Sequence, residues 1–227
     1  MGLIIKPILV IILFFHMGNL FSQDSINLED RVYGLDQLLC NGKKYTFYPE
    51  SSINGNQFLL SPDFVAGDVI IKGKRFENLS LNYDIYNQKL LLRYSDKIGT
   101  ITIIEISKAW MEGFHLGKKY FECMNMESGA TIFQVLGNGP TRIVYKWRKN
   151  LGVEPGKENL AFTRALKESF VLSGVNYEPF RNKRSLIAIF NPSHKREIRN
   201  YIHKNRIRLK KASDQVMTEL INFIGNL

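Results

Sequence analysis

The chain has 227 residues, of which 31 are Lys or Arg and 21 are Asp or Glu, so its formal net charge at pH 7 is +10. Apart from one apolar block near the start, no stretch approaches the ~20 apolar residues of a membrane-spanning helix, which excludes such a helix from the mature chain. The length fits one sizeable core with an appendage, and two cysteines are too few to define a disulfide framework.

Residues 1–22 predict a cleavable signal peptide. Lys6 precedes an apolar block at 8–15, which has the length of a signal-peptide hydrophobic region. Polar residues follow the block, and Ser22 puts a small residue at the cleavage position. We therefore expect a mature chain that starts at Gln23 and is exported to the periplasm, the outer-membrane periphery or the medium. The alternative is an uncleaved membrane anchor.

The central part of the chain predicts an antiparallel meander, either a sandwich or an open barrel-like sheet. Short runs rich in β-branched and aromatic residues alternate there with Gly, Asn, Asp and Pro. The predicted strands are Lys44–Tyr48, Asp68–Lys72, Leu79–Tyr83, Lys89–Tyr94, Thr100–Ile106, Lys119–Cys123, Ala130–Leu136 and Thr141–Trp147. A turn is expected at 84–87, and Gly137-Asn138-Gly139 predicts a tight hairpin between the last two strands.

The C-terminal part predicts a pair of helices. Residues 150–158 indicate a loop and 162–173 one or two further strands. Asn191 followed by Pro192 predicts a helix that starts there and ends at Asn205, and Ser213 predicts the cap of a second helix. The apolar stripe of that helix, expected to dock on the sheet, is Val216, Met217, Leu220, Ile221 and Ile224.

These elements predict a mainly β fold with a C-terminal pair of α-helices, α+β overall. The signal peptide covers 1–22, the antiparallel β domain 23–180, and a basic helical segment 181–227.

The positive charge has a location. The segment 181–211 holds eleven Lys or Arg and a single acid, Glu197, which leaves 20 basic and 20 acidic residues elsewhere. A patch of one sign attracts polyanions. The candidate anion-binding residues are Lys195, Arg196, Arg199, Lys204, Arg206, Arg208, Lys210 and Lys211. Export favours an anionic glycan, a lipid surface or an envelope protein as partner and argues against nucleic acid. The alternative is a solvated face that only confers solubility.

No catalytic, cofactor or metal-binding constellation stands out in the sequence. There is no Gly-x-Ser-x-Gly motif or P-loop. His194 and His203 are nine residues apart on one predicted helix, which puts them on opposite faces. Cys40 and Cys123 could pair in an oxidising compartment or remain two buried thiols. We therefore predict no catalytic residue, no metal and no cofactor.

The run from Gly67 to Asn87, GDVIIKGKRFENLSLNYDIYN, resembles a pattern of exported, β-rich proteins of Bacteroidetes-type Gram-negative bacteria. The segment from Phe190 to Ile198 is similar to the lysine-rich helical tail in which such proteins end. The resemblance extends from about Tyr33 through the hairpin at Gly137 to the closing helices. It implies export and a β-rich fold, and it implies no activity and no catalytic residues.

The sequence thus predicts a non-enzymatic binding or structural module of the cell envelope. The alternative is a hydrolase acting on glycan or peptidoglycan through two carboxylates. The acidic residues from which such a pair would come are Asp63, Asp84, Glu105 and Glu112. Nothing in the sequence selects a pair among them.

Overall fold

A computed structural model of the protein describes residues 36–39, 42–95, 98–127, 129–153, 156 and 159–227. The predicted signal peptide, the predicted start of the mature chain at Gln23 and the cysteine Cys40 lie outside these residues. Within the described residues, no helix is long and apolar enough to cross a bilayer.

The fold is mainly β, as predicted, and it is built on one antiparallel sheet of eleven strands. Its strands are β1 Lys43–Lys44, β2 Val65–Ile71, β3 Lys74–Asp84, β4 Lys89–Ser95, β5 Ile101–Glu105, β6 Met111–Leu116, β7 Lys119–Met126, β8 Gly129–Leu136, β9 Thr141–Arg148, β12 Leu166–Ser173 and β13 Asn176–Phe180. Two further strands, β10 Leu151–Val153 and β11 Leu160–Phe162, form a separate hairpin.

The strand order is that of a meander which runs outward from β2 in both directions, β1-β5-β4-β3-β2 on one side and β6-β7-β8-β9-β12-β13 on the other. The hairpin between β2 and β3 turns on two residues, Lys72 and Gly73, which both have positive φ (49° and 75°). A two-residue turn with that geometry follows the twist of the strands, and glycine adopts it at no steric cost.

Three helices follow the sheet in the described part of the chain: α1 Lys183–Ile189, α2 Lys195–Lys204 and α3 Asp214–Gly225. The side chain of Asn182 accepts a hydrogen bond from the amide of Ser185 at the start of α1, and Ser213 caps α3 by accepting from the amide of Val216, as predicted.

Neighbouring residues in register define the two faces of the sheet. Phe121 of β7, Gln134 of β8 and Tyr145 of β9 lie side by side on one face, which we call the inner face. On the β9–β13 half of the sheet, the helices cover this face: Met217 and Leu220 of α3 are at most 1% exposed and belong to the same hydrophobic cluster as Tyr145. The predicted docking of the last helix is confirmed, and strands and helices share one core.

The β2–β7 half has its own cluster on the inner face. Tyr83, Phe114 and Phe121 are fully buried, with ring centroids of Phe114 and Phe121 4.7 Å apart in a stacked pair. Trp147 packs against both this cluster and the helix-covered one. The inner face is therefore one continuous core surface with Trp147 at its middle.

The turn at 84–87 is present as predicted, and Asp84 organises it. The fully buried carboxylate accepts hydrogen bonds from the hydroxyl of Tyr45 (2.7 Å), the amides of Tyr86 (3.0 Å) and Asn87 (2.8 Å), and the side-chain amide of Asn87 (2.7 Å). Four donors on one carboxylate satisfy a charge that burial would otherwise make costly.

Several sequence predictions about the strands are wrong in detail. Of the predicted strand Lys44–Tyr48 only the first residue is in β1. Strand β6 was not predicted, because Met111–Leu116 contains a glycine and a histidine and lacks β-branched residues. Residues 151–153, expected in a loop, form β10. The predicted hairpin between β8 and β9 is confirmed, but four residues, 137–140, separate its strands.

The helix predictions also need correction. The helix predicted to start at Asn191 begins at Lys195, because the carboxamide of Asn191 accepts hydrogen bonds from the amide and hydroxyl of Ser193 and so stabilises a turn ahead of the helix. The short helix α1 was not predicted, since only Leu186 and Ile187 in it are buried and one turn of apolar residues gives no helical period.

Candidate anion-binding surface

Helix α2 separates apolar from basic side chains. Ile198 and Ile202 are buried against the helix-covered cluster. Arg196, Arg199 and His203 are exposed, and their spacing of three and four residues makes them neighbours along the opposite side of the helix. The helix therefore turns a cationic stripe to solvent because its apolar stripe is held in the core.

The C-terminus of α2 holds an arginine in a strained conformation. The amide of Ile207 donates to the carbonyl of Ile202 and the amide of Arg206 to that of His203, each at 3.0 Å, which is the Schellman pattern. The residue in the left-handed position of this motif is usually glycine, but here it is Arg206 with φ 51°. An L-residue in this region costs roughly 1 kcal/mol or more. A cation at this position is also favourable for the helix dipole.

In the connection between α2 and α3, apolar side chains that pack on the core alternate with exposed basic side chains. Ile207 and Leu209 pack against the helix-covered cluster, whereas Arg206, Arg208 and Lys210 between and beside them are exposed. Every second side chain anchors the segment, and the intervening basic side chains point away from the core.

We call residues 181–211 the basic surface; all of them are described by the structure. Of the eight candidate anion-binding residues, seven are exposed and Lys195 is half-buried. Not one of the eleven basic side chains of this segment forms an ion pair within the described part of the chain; the pairs found there involve only side chains outside 181–211. Its positive charge is therefore uncompensated by the fold.

The basic surface also lacks highly exposed large apolar side chains. The large apolar side chains with high exposure all lie outside 181–211. Tyr201 is stacked on Phe223 of α3 with ring centroids 4.1 Å apart. The apolar side of α2 is therefore buried in the core and is not available for binding.

A second feature is a cleft of about 920 Å³ at the end of the sheet. It opens between the turn that joins β6 to β7, the loop that joins β8 to β9, and the first turn of α3. A Cβ on Gly137 (φ 92°) would come within 2.7 Å of the Cγ2 of Ile221, so this loop approaches α3 too closely for any other residue. The cleft is lined by charged side chains of both signs, with Lys119 beside Asp214 and Arg142 beside Glu122.

The carboxylate of Asp214 sits in a polar network on the inner face. It accepts hydrogen bonds from the ammonium of Lys119 and from the side chain of Gln134 (2.8 Å), and Gln134 in turn accepts from the indole of Trp147 (2.8 Å). Burial alone would raise the pKa of Asp214, but these two hydrogen bonds together with the positive charges of Lys119 and Lys167 outweigh it, and the pKa lies below its usual value. The network fixes the start of α3 on the sheet. In the sequence it is visible only as an acid in the first turn of a predicted helix.

Each of the four carboxylates named for the hydrolase alternative has a local contact. These are Asp63 with Ser61, Asp84 with Tyr45 and Asn87, Glu105 with Lys89, and Glu112 with the amide of Gly73. The two carboxylates that line the cleft are Glu122 and Asp214. A general acid needs a raised pKa, whereas the pKa of Asp214 is lowered.

The remaining candidates are the thiols and histidines. The thiol of Cys123 is half-buried, with Sγ 3.7 Å from the carbonyl oxygen of Lys108, and burial raises its pKa. Its partner in the predicted disulfide, Cys40, is outside the described residues, so that pairing stays a prediction. In the described part of the chain, no three His, Cys, Asp or Glu side chains converge as a metal site.

Comparison with known proteins adds no relative. No family model, no curated protein and no solved structure matches this chain. The case for function therefore rests on the chain's own residues.

Proposed function

We propose that the protein is an exported module of the cell envelope that binds an acidic glycan through its basic surface and is not an enzyme. The observation that carries this proposal is a segment of net charge +10 whose basic side chains are held on a folded scaffold and form no ion pair with any residue that the structure describes. Side chains already placed lose less entropy on binding than those of a disordered tail.

We favour a solvated polymer over a lipid bilayer because the basic surface has no highly exposed large apolar side chain that could insert among lipid chains. A helix that lies in a membrane interface buries its apolar side among the lipid chains. In α2 that side, which includes Ile198 and Ile202, is packed in the core, and no large apolar side chain of the basic surface is highly exposed. Six of the eleven basic residues are arginines, whose planar guanidinium matches the two oxygens of a carboxylate, sulfate or phosphate.

The test compares two variants of equal net charge. The surface variant replaces Arg196, Arg199, Lys204, Arg206 and Arg208 by Gln. The control variant replaces five exposed basic residues outside the basic surface, Lys43, Lys44, Arg93, Lys118 and Arg164, by Gln. Retention is measured in a salt gradient on immobilised heparin, as a sulfated polysaccharide, and by co-sedimentation with vesicles of phosphatidylglycerol and phosphatidylcholine.

We expect the wild-type protein and the control variant to elute from heparin at similar salt concentrations, and the surface variant to pass through early. Vesicles should retain the wild-type protein weakly. Equal retention of the two variants on heparin would contradict the proposed surface. Tighter retention on vesicles would reassign it to lipid headgroups.

Export is tested separately by the mass of the protein isolated from the producing cell. We expect a mature chain that begins at Gln23. A full-length mass in a membrane fraction would contradict export by a cleaved signal peptide and leave residues 8–15 as part of an anchor.

A further inference from the structure

Strand β8 changes its partner at Gln134. Its residues up to Gln134 pair with β7, and those from Gln134 onward pair with β9. The two ladders overlap at Gln134 alone, so β8 diverges from β9 near its start and from β7 near its end. Each divergence interrupts the hydrogen bonds by which a ladder would continue.

A protein side chain closes the first of these openings. Between β8 and β9, the side-chain amide of Gln88 donates to the main-chain oxygen of Trp147 at 2.8 Å. Gln88 is itself held in place, because its side chain also accepts from the hydroxyl of Tyr83 at 2.9 Å. This opening is therefore satisfied within the fold.

The opening between β7 and β8 is part of the cleft at the end of the sheet. The next pair in this ladder would be Tyr120 with Val135, and it is not formed, although both residues belong to strands. Within the described residues, no side chain hydrogen-bonds to the main chain of either one. Both line the cleft, whose volume of about 920 Å³ is that of a small-molecule site.

The charges in the cleft favour a neutral ligand with many hydroxyl groups. Its charged side chains are the exposed Lys118 and two ion pairs, Lys119 with Asp214 and Arg142 with Glu122. A simple ion would meet a like charge beside each of its partners. A sugar hydroxyl both donates and accepts, so it can contact the acid and the base of one pair at the same time.

The opening between β7 and β8 adds a match to an amide. An acetamido group has one N–H and one C=O, as a peptide unit has, and a methyl group besides. Such a group can complete hydrogen bonds at Tyr120 and Val135 and place its methyl group against Leu60, which lines the cleft and is 50% exposed. The opening covers only Lys119–Tyr120 and Val135–Leu136, which is shorter than the roughly three residues that a peptide strand needs.

We propose that the cleft binds an N-acetylated amino sugar, with the acetamido group at the opening between β7 and β8 and the ring hydroxyls on the two ion pairs. The residues that line the cleft all lie outside 181–211. The site therefore does not depend on the function proposed for the basic surface.

The test follows the main-chain amide resonances of isotope-labelled protein during titration with three neutral probes. These are triacetylchitotriose, cellotriose, which has hydroxyls in place of the acetamido groups, and acetyl-tetraalanine amide as a short peptide. Leu60→Ala removes the apolar contact, and Gln215→Trp places a bulky side chain in the cleft. Their controls, Ile101→Ala and Glu219→Trp, make the same kinds of change at exposed residues that do not line it.

We expect triacetylchitotriose to shift the amide resonances of Tyr120, Val135 and Asn138 saturably. Its affinity should exceed that of cellotriose about tenfold or more, as two further hydrogen bonds predict. Leu60→Ala should weaken binding about threefold or more, and Gln215→Trp should abolish it. The two controls should bind as the wild-type protein does, and unchanged resonances away from the cleft show that each variant is folded.

Shifts that rise without saturation, or that lie outside the cleft, would overturn the proposal. Equal affinity for triacetylchitotriose and cellotriose would overturn the role of the acetamido group. Tighter binding of the peptide at the same amides would reassign the opening to an added strand. If Gln215→Trp does not fold, Asn138→Trp, in the exposed loop on the other side of the cleft, is measured in its place with the same expectation.

Discussion

Charged side chains form ion pairs on the sheet, whereas those of the basic surface form none among the described residues. On the sheet and at its contact with α3, acidic and basic side chains are paired, as in Arg142 with Glu122, Arg148 with Glu168 and Lys119 with Asp214. Between residues 181 and 211, eleven basic side chains share the surface with a single acid, and none of them is paired with a residue in the described ranges. Both regions nevertheless contribute apolar side chains to the same core.

From this contrast we infer that the charge of the C-terminal segment is not needed for the fold. Exposed like charges repel one another, so an unpaired set of them brings little stability and some cost. The segment is held in the fold by its buried apolar residues, such as Ile198 and Ile202. The charge is then available for binding, and substitutions can separate its role from the structural role of the apolar residues.

The largest effect is expected from the shared core. Leu220 of α3 is fully buried, and Leu220→Ala should lower the free energy of unfolding by about 2–5 kcal/mol. Urea unfolding followed by far-UV and near-UV circular dichroism should show one transition, because helices and sheet share a cluster. Val175→Ala, at a residue 87% exposed, should change stability by less than about 0.5 kcal/mol. Two separate transitions would show that the helices and the sheet unfold independently, which would contradict a shared core.

A pair of single substitutions sharpens the contrast between paired and unpaired charge. Asp84→Ala leaves four donors without their acceptor and should cost about 3 kcal/mol. Arg199→Ala, in the basic surface, should change the free energy of unfolding by no more than about 0.5 kcal/mol. The measurement is chemical denaturation of both variants. A loss in Arg199→Ala comparable to that in Asp84→Ala would mean that the basic surface has a structural role after all.

The pH dependence of stability tests the ion pair that anchors α3. Because the pKa of Asp214 is lower in the folded protein than in the unfolded chain, its contribution is present above about pH 4 and is lost as the pH falls through the folded pKa. Asp214→Asn should remove this contribution, at most about 1 kcal/mol since the carboxylate is one-third exposed. Thermal unfolding between pH 2 and pH 7 measures it. The two proteins should converge at the acid end, and a constant difference at all pH values would contradict the assignment.

The smallest effect concerns Arg206, where strain and charge coincide. Arg206→Gly relieves a left-handed conformation and should raise the free energy of unfolding by about 0.5 kcal/mol while it weakens retention on heparin. Arg208→Gly, at an exposed residue without positive φ, should weaken retention without the gain in stability. Loss of stability in Arg206→Gly would indicate that the arginine is kept for the helix terminus rather than for binding.

Much of the fold could be predicted from the sequence because it follows local patterns. Strands β4 and β9 are short apolar runs bounded by turn residues, the stripe of α3 has a helical period, and Ser213 is a standard cap. Strand β6 could not be predicted, because its place is set by pairing with β2 and β7 rather than by its composition.

The candidate sites divide in the same way. The basic surface was visible as a count of charges along the chain. The polar network around Asp214 was not, since it joins residues of β7, β8, β9 and α3 that only the register of the sheet brings together. In the sequence Asp214 is only an acid in a first helical turn, and its lowered pKa depends on Lys119 and Gln134, which are distant along the chain.

The salt dependence of heparin affinity shows whether the charge of residues 181–211 forms a binding surface. The affinity of wild-type protein, surface variant and control variant is measured by titration calorimetry from low to moderate sodium chloride. We predict that log K falls steeply with log salt for the wild-type protein and the control variant. For the surface variant the slope should be smaller, by about 0.7 for each removed charge that contacts the polymer. Equal slopes for the two variants would contradict the claim and leave the basic surface as a solubilising face.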